Sequence, residues 1–135
     1  MTITGRCYCG ELTYRVESEP IMKGNCHCRE CQYFSGGHPN AFLVMSDSTF
    51  QYTKGKPKTF TRSDLEKPRT REFCSNCGTH ICTKSEFRPG AIVLKAGTLD
   101  DMSLFDKPDM AIFTIDKQPF HHLDADVPSY ERMKP

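Results

Sequence analysis

Three short stretches decide how this chain folds: Cys7-Tyr8-Cys9-Gly10, Cys26-His27-Cys28-Arg29-Glu30-Cys31 and Cys74-Ser75-Asn76-Cys77-Gly78. With Cys82 they contain all eight cysteines. A Cys-x-x-Cys turn lets two sulfurs converge on one ion from a single loop, and a following glycine frees the backbone to turn or to aim N–H groups at sulfur. Cys74-x-x-Cys77-Gly78 therefore reads as half of a tetrahedral zinc site, in which thiolates stand ~2.3 Å from the metal. Its natural complement is Cys7-x-Cys9-Gly10, a second pair that ends in glycine. Together they would make a four-thiolate site joining the start of the chain to its middle, and closing so long a loop with metal supports a weak core. Cys26, Cys28 and Cys31 remain as three ligands on one tight turn. An incomplete tetrahedron keeps a position open, as catalytic zinc sites do. Spacing alone leaves other partitions standing, with Cys82 or His27 as a fourth ligand.

Composition favours metal over disulfides. The opening residues Met1 to Arg6 lack the apolar stretch of a secretory signal, so the expectation is a soluble, cytoplasmic protein. In a reducing compartment a disulfide framework is disfavoured. No run approaches the ~18 apolar residues of a membrane span, and no membrane partner is expected. Lys and Arg number 18 against 17 Asp and Glu, a net charge of +1. A nucleic-acid binder working by bulk charge shows a strong basic excess, so nucleic acid is excluded as an expected partner. The 135 residues predict a single domain spanning 1–135. With 37% hydrophobic residues the core is modest and needs staples.

The apolar pattern has period two, which predicts an all-β chain. Leu12, Tyr14 and Val16 alternate with polar residues, and so do Phe50 and Tyr52. Lys54-Gly55-Lys56-Pro57 followed by Thr59-Phe60-Thr61 suggests a hairpin with the strand before it. Ala41 to Met45, Arg71 to Phe73, His80 to Thr83, Ile92 to Leu94 and Ile112 to Ile115 are further strands. Short helices are expected at Arg29 to Phe34, stopped by Ser35-Gly36-Gly37, and near Met102 to Phe105. Between two cysteines, His27 is expected to point outward; His38 belongs to a loop, and His121 and His122 to a solvated tail. Cys82 reads as a buried thiol that packs as a small apolar residue. Arg69 and Arg71 read as a solvated strand face, and Phe120 as packing. The tail after Pro119 either straps the sheet or frays.

Gly5-x-Cys7-x-Cys9-Gly10, Cys26-x-Cys28-x-x-Cys31 with Ser35-Gly36 after it, and Phe73-Cys74-x-x-Cys77-Gly78-Thr79 resemble the glutathione-dependent formaldehyde-activating enzyme family, which shares its domain with centromere protein V. Gly97-Thr98-Leu99-Asp100-Asp101 resembles a later segment of that family, and the likeness runs from Gly5 to Tyr130. The resemblance implies an Mss4-like fold of small antiparallel β-sheets with short helices and two zinc ions. It implies that Cys7, Cys9, Cys74 and Cys77 hold a structural zinc, and that Cys26, Cys28 and Cys31 hold a catalytic one. It implies a carbon–sulfur lyase that forms or cleaves an S-hydroxymethyl adduct, with glutathione as thiol and formaldehyde as aldehyde. The chain departs from the family in having no tryptophan; Phe120 stands where relatives commonly place one.

A three-thiolate zinc carries a formal charge of about −1, which suits it to hold a thiolate better than to make a strong hydroxide. Glutathione has two carboxylates, so cations should line the mouth. Arg29 and Lys23 are candidates, and Ser35, Gly36 and Gly37 could offer N–H groups. His27 and His38 are candidate general acids. Two other readings stand beside the lyase: a non-catalytic zinc module that binds a protein, and a related lyase for a different thiol or aldehyde.

Overall fold

Alternating apolar residues cut by glycine, proline and cysteine turns produce ten short strands. The computed structural model describes residues 1–135. In chain order the strands are β1 (Ile3–Arg6), β2 (Thr13–Val16), β3 (Met22–Cys26), β4 (Asn40–Ser46), β5 (Phe50–Lys54), β6 (Lys58–Thr61), β7 (Arg69–Phe73), β8 (His80–Ser85), β9 (Ala91–Lys95) and β10 (Met110–Ile112). The one α-helix, α1 (Arg29–Phe34), lies between β3 and β4. The mainly β expectation holds, and α1 has the expected bounds. Near Met102 there is only a single 3-10 turn, Met102–Leu104.

Two sheets form, one of three strands in the order β1-β2-β5 and one of seven in the order β10-β3-β4-β9-β8-β7-β6. All pairings are antiparallel except that of β10 with β3. The expected hairpin is therefore corrected. Both of its strands exist, but β5 pairs with β2 and β6 with β7, so the Lys54–Pro57 turn carries the chain from one sheet to the other. The strand expected at Ile112 to Ile115 ends at Ile112, because Phe113 adopts a left-handed φ of 56° and a 3-10 turn follows. Strands β1 and β3 had no strong alternation to announce them.

Ile3, Leu12, Tyr14 and Val16 of the small sheet and its turn pack on Leu43, Met45, Ile81, Ile92 and Leu94 of the large one. Full burial of each aliphatic side chain contributes roughly 1.5–3 kcal/mol, which makes this inter-sheet layer the main core. A smaller cluster on the opposite face of the large sheet contains Cys26, Phe42, Val44, Met110 and Ile112. The tail straps this side and does not fray: the Ala111 N–H donates to the Pro128 carbonyl and the Tyr130 N–H to the Ala111 carbonyl, each at 2.9 Å. No helix is long and apolar enough to cross a membrane.

Candidate metal centre

Two groups of cysteines come together, and they are the groups that spacing suggests. The first joins the turn after β1 to the turn after β7. In each turn a glycine takes the left-handed φ that lets the chain double back, Gly10 at 82° and Gly78 at 79°. The Gly78 N–H closes its turn on the Cys74 carbonyl at 2.8 Å. The Cys7, Cys9, Cys74 and Cys77 sulfurs all lie within 4.8 Å of one another. Cys7 and Cys9 sulfurs are 3.6 Å apart, and those of Cys9 and Cys74 3.7 Å. A tetrahedron with ~2.3 Å metal–sulfur bonds has edges of ~3.8 Å, so the spacing fits zinc. Backbone N–H groups of Leu12 and Cys77 point at the Cys7 and Cys74 sulfurs, at 3.3 and 3.5 Å. Such donors favour thiolates. The Thr79 hydroxyl, 3.1 Å from the Cys77 sulfur, is the main reason that thiol sits low, at about 5.

The second group lies on the other face of the large sheet. Cys26 ends β3, Cys28 is the N-cap of α1, and Cys31 sits in the helix's first turn. The Cys28 sulfur takes the place of a capping oxygen and accepts the Cys31 N–H at 3.3 Å. The three sulfurs lie within 4.8 Å of one another. Hydrogen bonds from Cys26 and Cys31 hold the Cys28 thiol below its ordinary value. The donor set fits a thiophilic ion with one ligand position to spare. Neither alternative fourth ligand joins the group. Cys82 is buried among the inter-sheet core residues, where its thiol donates to Glu72 at 3.4 Å. His27 turns away from the sulfurs toward the tail.

Several expectations about the surroundings are corrected. His27 and His121 are both buried, not solvated, and their Nδ1 atoms are 2.9 Å apart. His121 Nδ1 also accepts the Gln118 N–H, and its Nε2 lies 2.7 Å from the Gly37 carbonyl oxygen. His121 thus carries its proton on Nε2, and His27 donates from Nδ1. Burial first, then His121 and Lys117, hold His27 below its ordinary value. Arg71 is not solvated either. Its side chain is 5% exposed, pairs with Glu30 of α1, and stacks 3.9 Å from the Phe34 ring centroid. Arg69 pairs with the same carboxylate at 3.2 Å. Phe120 is 61% exposed, resting edge-on against His38 and His121. Cys82 is buried as expected.

Of the candidate thiol-binding residues, Arg29 is exposed, with its guanidinium 4.9 Å over the Tyr33 ring and its backbone N–H on Asp116. The Ser35 hydroxyl donates to the Cys31 carbonyl at 2.9 Å and its N–H to Gln32, so both donors close the helix end. Gly36 is exposed, at φ 66°, with open space beside it. Lys23 lies on β3, its backbone N–H held by Asp109. The group that residue spacing did not single out is Lys95, half-buried at the end of β9. Burial pushes its ammonium down to about 8; Cys31 pulls it the other way, as do Cys26 and Cys28 less strongly. The signal available in the sequence was only its place at the end of an alternating strand.

Comparison with known proteins adds three findings. The sequence model of a family described as glutathione-dependent formaldehyde-activating enzyme matches residues 2–116. A protein of Halomonas elongata, provisionally named a glutathione-dependent formaldehyde-activating enzyme, is 30% identical over 86 residues, which is 60% of this chain and 55% of that relative. The chain thus matches just over half the length of that relative. A crystal structure of a Rhodobacter sphaeroides protein is similar with a TM-score of 0.61 at 14% identity, covering 94% of this chain and 98% of that one. At that identity the likeness speaks to the fold alone.

Proposed function

The chain belongs to the glutathione-dependent formaldehyde-activating enzyme family, and from that premise we propose that it is a zinc-dependent carbon–sulfur lyase forming or cleaving an S-hydroxymethyl thiol. In this reading residues 1–135 are one domain. Cys7, Cys9, Cys74 and Cys77 hold a structural zinc, and Cys26, Cys28 and Cys31 hold the zinc at which the thiol reacts. The observation that carries the reading is the second cysteine group: three sulfurs within 4.8 Å and no fourth protein ligand beside them.

The reaction adds a thiol across the carbonyl of formaldehyde. A carbon–sulfur bond forms, the carbonyl π bond opens, and the thiol proton ends on oxygen; the reverse restores both reactants. Zinc held by the three cysteines supplies a Lewis acid that makes an incoming thiol give up its proton. The chain's own part is to hold the reacting groups in place, and such positioning contributes several kcal/mol to bimolecular additions. Gln32, buried on the inner side of α1, donates its amide to the His27 and Asp116 carbonyls at 2.6 and 2.9 Å, which locks the turn that presents Cys28 and Cys31. Glu30 ties the same helix to β7 through Arg69 and Arg71. For a glutathione carboxylate, exposed Arg29 has guanidinium donors beyond the one that it gives to Gln32, and Gly36 has an open approach, whereas Ser35 has its donors engaged. His27, spent on His121, does not serve as the acid. A reducing, cytoplasmic setting suits seven liganding thiolates, and the expected partners are a small thiol and a small aldehyde.

Exchange NMR on S-hydroxymethylglutathione at substoichiometric, zinc-loaded protein tests this. Exchange faster than the uncatalysed reaction, lost in Cys28→Ser, is expected. No rate gain with two zincs bound overturns the glutathione–formaldehyde reading.

A further inference from the structure

Lys95 has a charge without an obvious owner. It lies opposite Phe42 of β4, and Phe42 packs in the cluster that contains Cys26 and has Cys28 and Cys31 against its edge. Val93, two residues earlier and on the same face, packs there too. Side-chain alternation therefore brings Lys95 to the sheet face on which the three cysteines sit. Arg71 reaches this face from β7, since it pairs with Thr83 and Thr83 with Val93. Arg71 and Arg69 already share the Glu30 carboxylate. Lys95 enters none of the molecule's ion pairs. A half-buried ammonium with no carboxylate pays desolvation that some nearby negative charge must offset. The cysteine group on the same face is the nearest candidate for that charge once its thiols ionise on a metal.

Resting on the metal-site reading above, we propose that Lys95 is the counter-ion of the Cys26–Cys28–Cys31 site and makes it select an anionic fourth ligand, a thiolate, over a neutral one. Three thiolates and a divalent ion leave the site at about −1, and a thiolate takes it to about −2. That second charge is opposed by the site itself. A fixed cation across a poorly screened gap offsets the repulsion, and it does nothing for a neutral ligand. Lys95 is thus a specificity residue, separate from the Glu30 fork that holds α1.

The test uses the holoprotein loaded with cobalt, whose visible absorption reports a new ligand, titrated with 2-mercaptoethanol and with imidazole. Wild type is expected to take up the thiolate. Lys95→Met should lose about tenfold in thiolate affinity with imidazole affinity unchanged, the size of one unit charge in a partly screened site. Lys95→Arg should retain most of the thiolate affinity. Lys95→Gln serves if the Met variant does not fold. A variant that binds thiolate as well as wild type, or that loses both ligands alike, overturns the inference while leaving the lyase reading intact. A wild type that admits no thiol overturns the lyase reading, and this inference with it.

Discussion

The Arg71 guanidinium, 5% exposed, sits where an unpaired cation could not stay. Glu30 makes its burial tolerable, and the Phe34 face takes the other side. Glu30→Gln should therefore destabilise the protein by about 2 kcal/mol in urea unfolding, less than for a fully buried pair because Glu30 is a third exposed. His80 gives a pH dependence. Burial, then Lys95 and Arg71, push it from 6.5 to about 3. Between those values the unfolded chain binds a proton that the folded one refuses, so stability is full above pH 6.5 and falls as pH drops toward 3. In His80→Gln that loss should be shallower by up to ~1.4 kcal/mol per pH unit, read as the wild-type minus variant difference in unfolding free energy. Residue type and alternation placed Arg71 and His80 on strands. They did not show either residue's neighbours: Glu30 is 41 positions from Arg71, and the Phe34 ring lies 5.4 Å from the His80 ring.

At the scale of elements, α1 is six residues long and has no stability of its own, since isolated helices shorter than ~12 residues are marginal. It persists through its ends and its buried face. Cys28 caps the start, Ser35 closes the finish, and Gln32 satisfies two carbonyls at once. Gln32→Leu should leave those carbonyls unpaired and cost ~1–3 kcal/mol. Hydrogen exchange should rise at residues 28–35 while the inter-sheet core stays protected. The helix was legible because its cap, its length and its glycine stop are all local. The partners of β5 and β6 are not legible for the converse reason: a Gly-Lys-Pro turn looks alike whether it returns a strand to its neighbour or sends it to another sheet.

Across the whole molecule the two cysteine groups, if each holds a metal, would do different mechanical work. The four-cysteine group ties the end of β1 in the small sheet to the end of β7 in the large one, across the 65 positions between Cys9 and Cys74. The three-cysteine group draws all its sulfurs from residues 26–31 on one face of one sheet. A metal that closes a long loop between sheets constrains the unfolded chain far more than one within a single turn. Cys77→Ser should thus lower the thermal midpoint sharply and loosen β1 and β2 in hydrogen exchange. Cys28→Ser should leave the midpoint nearly unchanged and disturb only the helix and the tail over it. Circular dichroism melts of both variants, with metal content measured alongside, check the contrast.

Cysteine grouping, strand identity and the one helix are written in the order of residues, because a Cys-x-x-Cys turn, a cap and a two-residue alternation each act within a few positions. Which sheet a strand joins, why Arg71, His27 and His121 are buried, and what Lys95 faces were decided only when distant segments met. The His27–His121 contact spans 94 positions. Charge compensation and hydrogen-bond satisfaction depend on distance in space, and a single strand's pattern says which residues share a face but not what lies across from it.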